Sequence, residues 1–581
     1  MNENSRAPKN RSRRLKSVVS SLGALLLSAS VLAGCGSAAP HTQAASHEVL
    51  NVALNPSYNP NWFAPIASDS SCITITGGVG RAASVYLPLL EISNTGTSIN
   101  LKSPLSLATS IAVSRNDTVY TIHMKRWQWS DGRPVTAADV VYDWNLIDAA
   151  SQSNPGFGYC FAGEGGVPNG WKSVQAVGNR TVVVTTTKPV NPLSFEINGL
   201  SQLIPVPKFA WDKYHNVNKE LSWINNVANK PTNPVYQVVD GAYHITKVAQ
   251  NQYFEYQANP KFPGGKPKIQ TIIYRYETSD ASEFEDLLKG NVQVGYLPFS
   301  LYDSRSKLKG YHILAEPQMA YFSIVLNMSP KSPSIGNLLT RLYVRQALQY
   351  AINQRQIVKN LFHGLAISDY GPVPKISSSY DKHLPNFYPY SPSTGKRLLE
   401  KHGWKLQNGV MEKNGLKLAF TLMVPAGSST WTNAMQLVQQ SWAAEGIKVT
   451  LNTEPVNTVD DLVGSPAGAS KWNAVSDWYW IYAPDYYPSG AGIFNTNGGY
   501  NGGKYSSAVM DRLIKQTELA GTPAQVQARM NAYERYAWQQ LPVLFIPTPD
   551  NLVVVSNRVK GYQAHYNPIL EDALYNQLQV K

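Results

Sequence analysis

An α/β fold is predicted for this 581-residue chain by three observations: strand-like runs alternate with helix-like ones, a capping-box spacing opens one helix, and a glycine stop hands another straight to a strand. The first strand-like run is Val49 to Leu54, which ends in the loop Asn55-Pro56-Ser57-Tyr58-Asn59-Pro60, as a buried strand entering an irregular turn would. Thr118 to Lys125 alternates as a half-buried strand and reaches Trp127-Gln128-Trp129-Ser130-Asp131-Gly132, where Asp-Gly supplies a turn. Thr136 and Asp139 then stand at capping-box spacing, with Val140, Val141 and Trp144 giving the helix its apolar face. Further strands are expected at Thr181 to Thr186 and Thr271 to Tyr276.

In the second half, Val344, Ala347, Leu348, Ala351 and Ile352 fall at helical spacing between Arg341 and Phe362, with Arg345, Gln349 and Arg355 off the stripe. One amphipathic helix packed on a sheet is expected there. Ser391 and Pro392 give an N-cap and first-turn proline, Leu398 and Leu399 a buried face, and Gly403 a stop. A helix from about Asn433 to Glu445 ends at Gly446 and runs into the strand Ile447 to Leu451. No repeat of fixed period occurs, and a chain of this length calls for two or three subdomains rather than one core.

The amino terminus sets the compartment. Arg6, Lys9, Arg11, Arg13, Arg14 and Lys16 precede an uncharged apolar run from Ser17 to Gly34, the layout of a secretory signal. The run closes in Leu32-Ala33-Gly34-Cys35, which resembles the bacterial lipobox, so residues 1–34 are expected to be removed and Cys35 to carry lipid. The alternative is an uncleaved membrane span, since 18 apolar residues just reach that length. Residues 35–48 are small and polar and read as a tether.

Composition narrows the partners. The formal charge is +13, and loss of the signal's six basic and one acidic side chains leaves +8, with no Lys/Arg block beyond it. Nucleic acid is therefore not expected as a partner. The 33 Tyr and 14 Trp against only 15% charged residues suit a secreted surface that offers rings and hydroxyls to a ligand. Cys72 and Cys160, the cysteines besides Cys35, are a candidate disulfide in an oxidising compartment.

Catalytic signatures are missing. The ten histidines are scattered without an H-x-x-x-H pair or a neighbouring cysteine, so no zinc or haem site of short spacing is supported. Neither a G-x-S-x-G elbow nor a Walker loop occurs; Gly78-Val79-Gly80-Arg81-Ala82-Ala83 matches the dinucleotide fingerprint only as an isolated short run. Glu283, Glu285 and Asp286 read as a solvated helix face. No nucleophile, base and orienter assemble, and neither an enzyme nor a cofactor or metal is expected.

Four blocks resemble one family. Trp127 to Trp144, WQWSDGRPVTAADVVYDW, is close to a W-S-D-G-x-P-x-T-A-x-D-V-V-Y-S-W signature; Asp240 to Tyr243, Asn259-Pro260 and Gly264 to Lys268 form a second block. Val344 to Leu348, VRQAL, and the pair Leu541-Pro542-Val543 and Val559-Lys560-Gly561-Tyr562 complete the set. They resemble the peptide and nickel receptors of bacterial ABC importers, solute-binding protein family 5. The resemblance implies an α/β, two-lobed periplasmic-binding-protein-like fold (class C, type II) with an extra N-terminal subdomain. Lobe I would comprise residues 49–278 and 546–581 and lobe II residues 279–545, with crossings near Glu277 to Ala281 and Leu541 to Ile546.

The resemblance also implies a site. Trp129, Asp131 and Arg345 read as turn and packing elements, whereas the aromatic segment Asp477 to Pro488 is the ligand-binding candidate, with Trp478, Trp480, Tyr482 and Asp485 foremost. Asp485 would pair with a peptide's α-ammonium, as a desolvated carboxylate does well; alternatively it forms a turn beside Pro484, and its five-residue spacing from Trp480 departs from the family's three. Pro425 to Thr432 lacks the arginine that dipeptide receptors carry after the preceding strand, which favours longer peptides. Tyr321 and Phe322, opening the run to Asn327, could offer a strand edge to a peptide backbone. The implied protein is a monomeric receptor, lipid-anchored outside the cytoplasm, that captures peptides and docks on a membrane permease pair driven by an ATPase. A metal chelate, haem or oligosaccharide is the alternative ligand, and a secreted cell-wall enzyme the alternative class.

Overall fold

Val49–Leu54 buries Leu50, Val52 and Leu54 along one strand, and a seven-stranded sheet grows around it in the computed structural model. The structure describes residues 49–54, 62–68, 84–93, 98–152, 157–249, 251–333, 335–465, 467–482 and 486–581, with the side chains of residues 336, 337, 457, 477 and 478 outside that set. The signal, tether, Cys35, Cys72, the 78–83 fingerprint match and Asp485 therefore lie outside the described residues. In sheet order the strands are Tyr311–Glu316, Asn551–Ser556, Val294–Tyr296, Val49–Leu54, Thr271–Tyr276, Tyr253–Ala258 and Tyr243–Ala249. Val49–Leu54 runs parallel to both of its neighbours, in register from Val49 with Thr271, and the remaining pairs are antiparallel.

An antiparallel four-stranded sheet, Ala108–Val113, Val119–Met124, Thr181–Thr186 and Trp171–Val177, shares the first sheet's apolar core. Between its strands, the Trp127 block folds into turn and helix. Trp129 is buried, Gly132 takes a left-handed φ of 94°, and the Ser130 backbone N–H donates to Val239 O at 2.7 Å. Thr136 donates its N–H and its hydroxyl to Asp139 Oδ2, each at 2.8 Å, while Asp139 Oδ1 accepts from Lys208 N at 2.9 Å. One carboxylate thus starts helix Ala137–Ser151 and ties it to the chain 69 residues on.

The second sheet has the order Lys448–Glu454, Ala419–Pro425, Ala474–Ile481, Ala320–Leu326, Leu544–Ile546. Every residue of Ala320–Leu326 is buried, as a strand covered on both faces requires. Helix Pro392–Lys401 begins at Ser391, whose hydroxyl accepts from Thr394 N, and helix Ser429–Ala444 leads through Gly446 into Lys448–Glu454.

Two expectations change. The stretch from Arg341 to Phe362 is two helices, Leu342–Tyr350 and Gln354–Asn360, because Asn353 turns aside to accept from Gln356 N at 3.1 Å and starts the second. Its polar residues also turn inward. Buried Arg345 donates to Leu339 O and twice to Gln540 O, and Gln349 pairs with both the N–H and the carbonyl of Phe545, covering the sheet's outer strand.

The lobe borders at 278/279 and 545/546 are corrected as well. Asp280–Lys289 is a helix capped by Ser279, and its Phe284 and Leu287 pack with Ala53 and Val554 of the first sheet, which continues through Tyr311–Glu316. The chain passes from one sheet to the other at residues 317–319 and returns at 547–550, just beyond the Leu541 to Ile546 stretch expected to carry it.

Candidate functional site

Cross-strand register sorts the aromatic candidates by face. Tyr321 stands opposite Trp480 and Phe322 opposite Tyr479, so Tyr321 and Trp480 share one face of the second sheet and Phe322 lies on the other. Tyr321 is buried among the rings of Tyr482, Phe494 and Phe545, with centroids 5.8 to 6.2 Å away. Trp480 meets Tyr500 edge-on at 4.7 Å, and the Tyr500 hydroxyl lies 3.2 Å from Cys160 Sγ. Tyr482 donates its hydroxyl to Pro372 O at 2.6 Å.

Phe322 is not brought to this group, being stacked between Trp431 and Tyr479 at 5.1 and 4.9 Å. Nor do Tyr321 and Phe322 offer an open edge: Ala320–Leu326 has Ala474–Ile481 on one side and Leu544–Ile546 on the other, so the expected strand addition there is corrected. Trp478 pairs in register with Ser323, and its side chain lies outside the described residues, as does Asp485.

What sequence reading missed is the grip of the first lobe on the end of the aromatic segment Asp477 to Pro488 and the residues just past it. Asn198, at the end of helix Pro192–Asn198, donates Nδ2 to Tyr487 O at 2.7 Å and accepts from Tyr487 N at 2.6 Å, as a second strand would. Buried Glu164 accepts from Gly492 N at 2.5 Å, Ser489 Oγ at 3.4 Å and Asn198 Nδ2 at 3.3 Å. Asn191 N donates to Glu518 O at 2.8 Å, and Ile92 and Ile197 of the first lobe pack into the second lobe's apolar core. A shallow cavity of about 390 Å3 lined by Tyr302, Arg305, Tyr311 and Leu365 lies elsewhere and includes none of these side chains.

Small residues allow the packing on each side of this contact and at it. A Cβ on Gly165 would fall 2.4 Å from Gly199 Cα within the first lobe, one on Gly490 would fall 2.0 Å from the Tyr533 hydroxyl within the second, and one on Gly492 would fall 3.0 Å from Glu164 Oε1 across the contact. The run Gly163-Glu164-Gly165-Gly166 was the available signal: a carboxylate set among glycines where backbones touch. Burial pushes Glu164 up to about 7 against the hydrogen bonds that favour its charge.

Two α/β lobes, joined by two short crossings and in contact with one another beside an aromatic segment, define the class of two-lobed solute receptors. Residues 105–501 match the bacterial extracellular solute-binding proteins, family 5 (middle), and the chain belongs to that family. It is 24% identical to the oligopeptide-binding protein AppA of Bacillus subtilis over 487 residues, covering 82% of this chain and 83% of that one. The structure of that AppA in complex with a nonapeptide superposes with a TM-score of 0.77 at 21% identity, over 92% and 99% of the two chains. Lactococcal OppA with an endogenous peptide in the closed conformation gives 0.75 at 20% identity, over 91% and 99%. Campylobacter jejuni NikZ in complex with Ni(L-His) gives 0.72 at 20% identity, over 89% and 95%.

Proposed function

We propose that this chain is the extracytoplasmic substrate-binding receptor of an ABC importer, enclosing peptides, oligopeptides foremost, between its lobes and presenting them to a membrane permease and its ATPase. The observation that carries the reading is the contact between the lobes: Glu164 and Asn198 of one lobe hold residues 487–492 of the other, at the end of the aromatic segment and just past it. A solute seated beside Trp480 would be shut away from water. The peptide complexes of AppA and OppA support a peptide as that solute. Asp485 is the proposed partner of the peptide's ammonium, with Trp478, Trp480, Tyr482 and Tyr321 around it. Phe322 supports this wall from behind rather than touching ligand.

The receptor runs no reaction of its own and acts as a monomer. Lipid on Cys35 would hold it at the membrane, and among the described residues no helix is long and apolar enough to cross one. Cys160 is disulfide-bonded, and we assign Cys72 as its partner. Breaking that bond by Cys160→Ala is expected to cost about 2–4 kcal/mol, read from denaturant midpoints. Titration of two thiols in denaturant without reductant would refute the pairing.

Mass spectrometry of the solute released from gently denatured protein tests the function. Peptides are expected. NikZ, which holds nickel–histidine on the same fold, makes a metal chelate the second reading, and recovery of a chelate, haem or sugar in place of peptide would overturn the first.

A further inference from the structure

The end of the first sheet at which Val49 enters is bordered by lysines. Val49 stands in register with Thr271, Thr271 with Gln257 and Gln257 with His244, so four strands share one row about 14 Å wide, three strand spacings. Two loops lie beyond that row. Residues 259–270 join Tyr253–Ala258 to Thr271–Tyr276 and carry Lys261, Lys266 and Lys268, while residues 98–107 carry Lys102. The loops meet at Gly264, where a Cβ would fall 2.9 Å from Pro104 Cβ.

Both loops are fastened to the lobe. Asn259 donates its N–H to Ala242 O at 2.7 Å and its side-chain amide to Gly241 O at 2.9 Å, Phe262 is buried, and the Lys125 ammonium donates to Ser103 O at 2.6 Å. The four lysines themselves are exposed, and among the described residues none of them is paired with a carboxylate. Neither loop contains Asp or Glu. Of the carboxyls that adjoin them, Glu91 and Asp240 are buried and Glu255 is held by Lys247 at 3.1 Å, and Glu48 is the one acid among residues 36–48.

We propose that this lysine-bordered end of the first sheet rests on the anionic phospholipid headgroups of the membrane that holds the chain. The inference rests on lipid anchoring at Cys35. Residues 36–48 span at most about 50 Å, and Val49 pairs with Thr271, three residues after Lys268, so the segment leading to Cys35 joins the sheet beside the lysines. An ammonium beside an anionic bilayer gains about fivefold in partitioning, and four unpaired ones act on the same surface with no carboxylate of their loops to oppose them. The anchor makes the contact intramolecular, so a modest attraction is enough to hold it.

Strand direction gives the contact its use. Tyr311–Glu316 and Val294–Tyr296 are both antiparallel to Asn551–Ser556, and Val294–Tyr296 is parallel to Val49–Leu54, so the crossing at 317–319 leaves from the opposite end of the sheet. Just past it, Ala320 pairs with Ile481 of the aromatic segment. Seated on its lysines, the first lobe holds the crossing and that segment away from the headgroups and toward the medium from which solute arrives.

The test places the processed, lipidated protein in vesicles of phosphatidylcholine with and without phosphatidylglycerol and follows lysine acetylation by mass spectrometry. Lys102, Lys261, Lys266 and Lys268 are expected to react at least about fivefold more slowly in the phosphatidylglycerol vesicles. Exposed Lys405 of the second lobe should react equally in both, and the protection should vanish in about 1 M salt, where the screening length falls to about 3 Å. Lys261→Glu combined with Lys266→Glu should abolish protection at Lys102 and Lys268; should that pair fail to fold, Lys261→Gln with Lys266→Gln should reduce it. Equal rates in the two vesicle types overturn the proposal, as does protection that persists in phosphatidylcholine alone. Protection that needs the permease means a protein partner and overturns it too. Should Cys35 carry no lipid, the anchoring reading fails by itself, and flotation of the unanchored protein with phosphatidylglycerol vesicles decides the surface: salt-reversible binding supports it, and no binding sinks it.

Discussion

Asp485→Asn is expected to weaken peptide binding by about 3–5 kcal/mol, between two and four orders of magnitude, with the fold unchanged. If Asp485 pairs with the ammonium as proposed, the loss is large because the ammonium would stay buried while its counter-charge is removed, leaving an uncompensated desolvation cost. Acetylating the peptide's amine should weaken binding to wild type comparably. Since both changes delete one contact, the two losses should fail to add, and a double-mutant cycle reads the coupling directly. Equal affinities of wild type for acetylated and unmodified peptide would remove Asp485 from the site.

Thermal stability should fall as pH rises, and Glu445→Gln should remove much of the fall. Glu445 sits at the end of helix Ser429–Ala444 with both carboxyl oxygens buried and, among the described residues, without a hydrogen-bond partner. Its carboxyl occupies the slot over Gly395, where a Cβ would come within 2.0 Å of Oε1. Burial raises it from 4.5 to about 9, so it contributes fully below about pH 4.5 and its contribution is lost progressively toward about 9. Each unit of mismatch is worth about 1.4 kcal/mol, and a negative charge at a helix C-terminus is unfavourable besides. Calorimetric melting from acid to alkaline pH should show a steep decline in wild type and a shallower one in the amide. Identical slopes would mean that Glu445 ionises in the folded protein at little cost.

The elements whose signals are local were legible in the sequence. Thr136 and Asp139, Ser391 with Pro392, and Gly446 before Lys448–Glu454 each settle a helix end within a few residues, and Thr181–Thr186 and Thr271–Tyr276 alternate strongly enough to be read directly. What could not be read depends on partners far away in the chain. Val294–Tyr296 has three residues and no pattern of its own, yet it belongs to the first sheet because Val49–Leu54 and Asn551–Ser556 flank it. Hence the first lobe extends past residue 278 to Glu316, beyond the border that the resemblance implies. Arg345 and Gln349 fall off the apolar stripe, and polarity alone does not reveal that Gln540 O and Phe545 O accept from them. Of the site, Trp480, Tyr482 and Tyr321 come together, whereas Phe322 falls on the other face by strand parity. Asn198 and Glu164 carry no local mark beyond the surrounding glycines, since their partners lie 289 and 328 residues further on.

The order of strands in the first sheet also decides when the protein can fold. Asn551–Ser556 lies between Tyr311–Glu316 and Val294–Tyr296, second from one edge, so Tyr311–Glu316 cannot join the other five strands until residues 551–556 have been made. Until then Tyr311–Glu316 has no neighbour to pair with, and the entropy of closing a loop of more than 230 residues has no return in hydrogen bonds. The five adjacent strands from Val294–Tyr296 to Tyr243–Ala249 are complete by residue 296, whereas that edge of the sheet stays unfinished through most of synthesis. Completion of the first sheet is thus one of the last steps open to the growing chain, set by the arrival of residues 551–556.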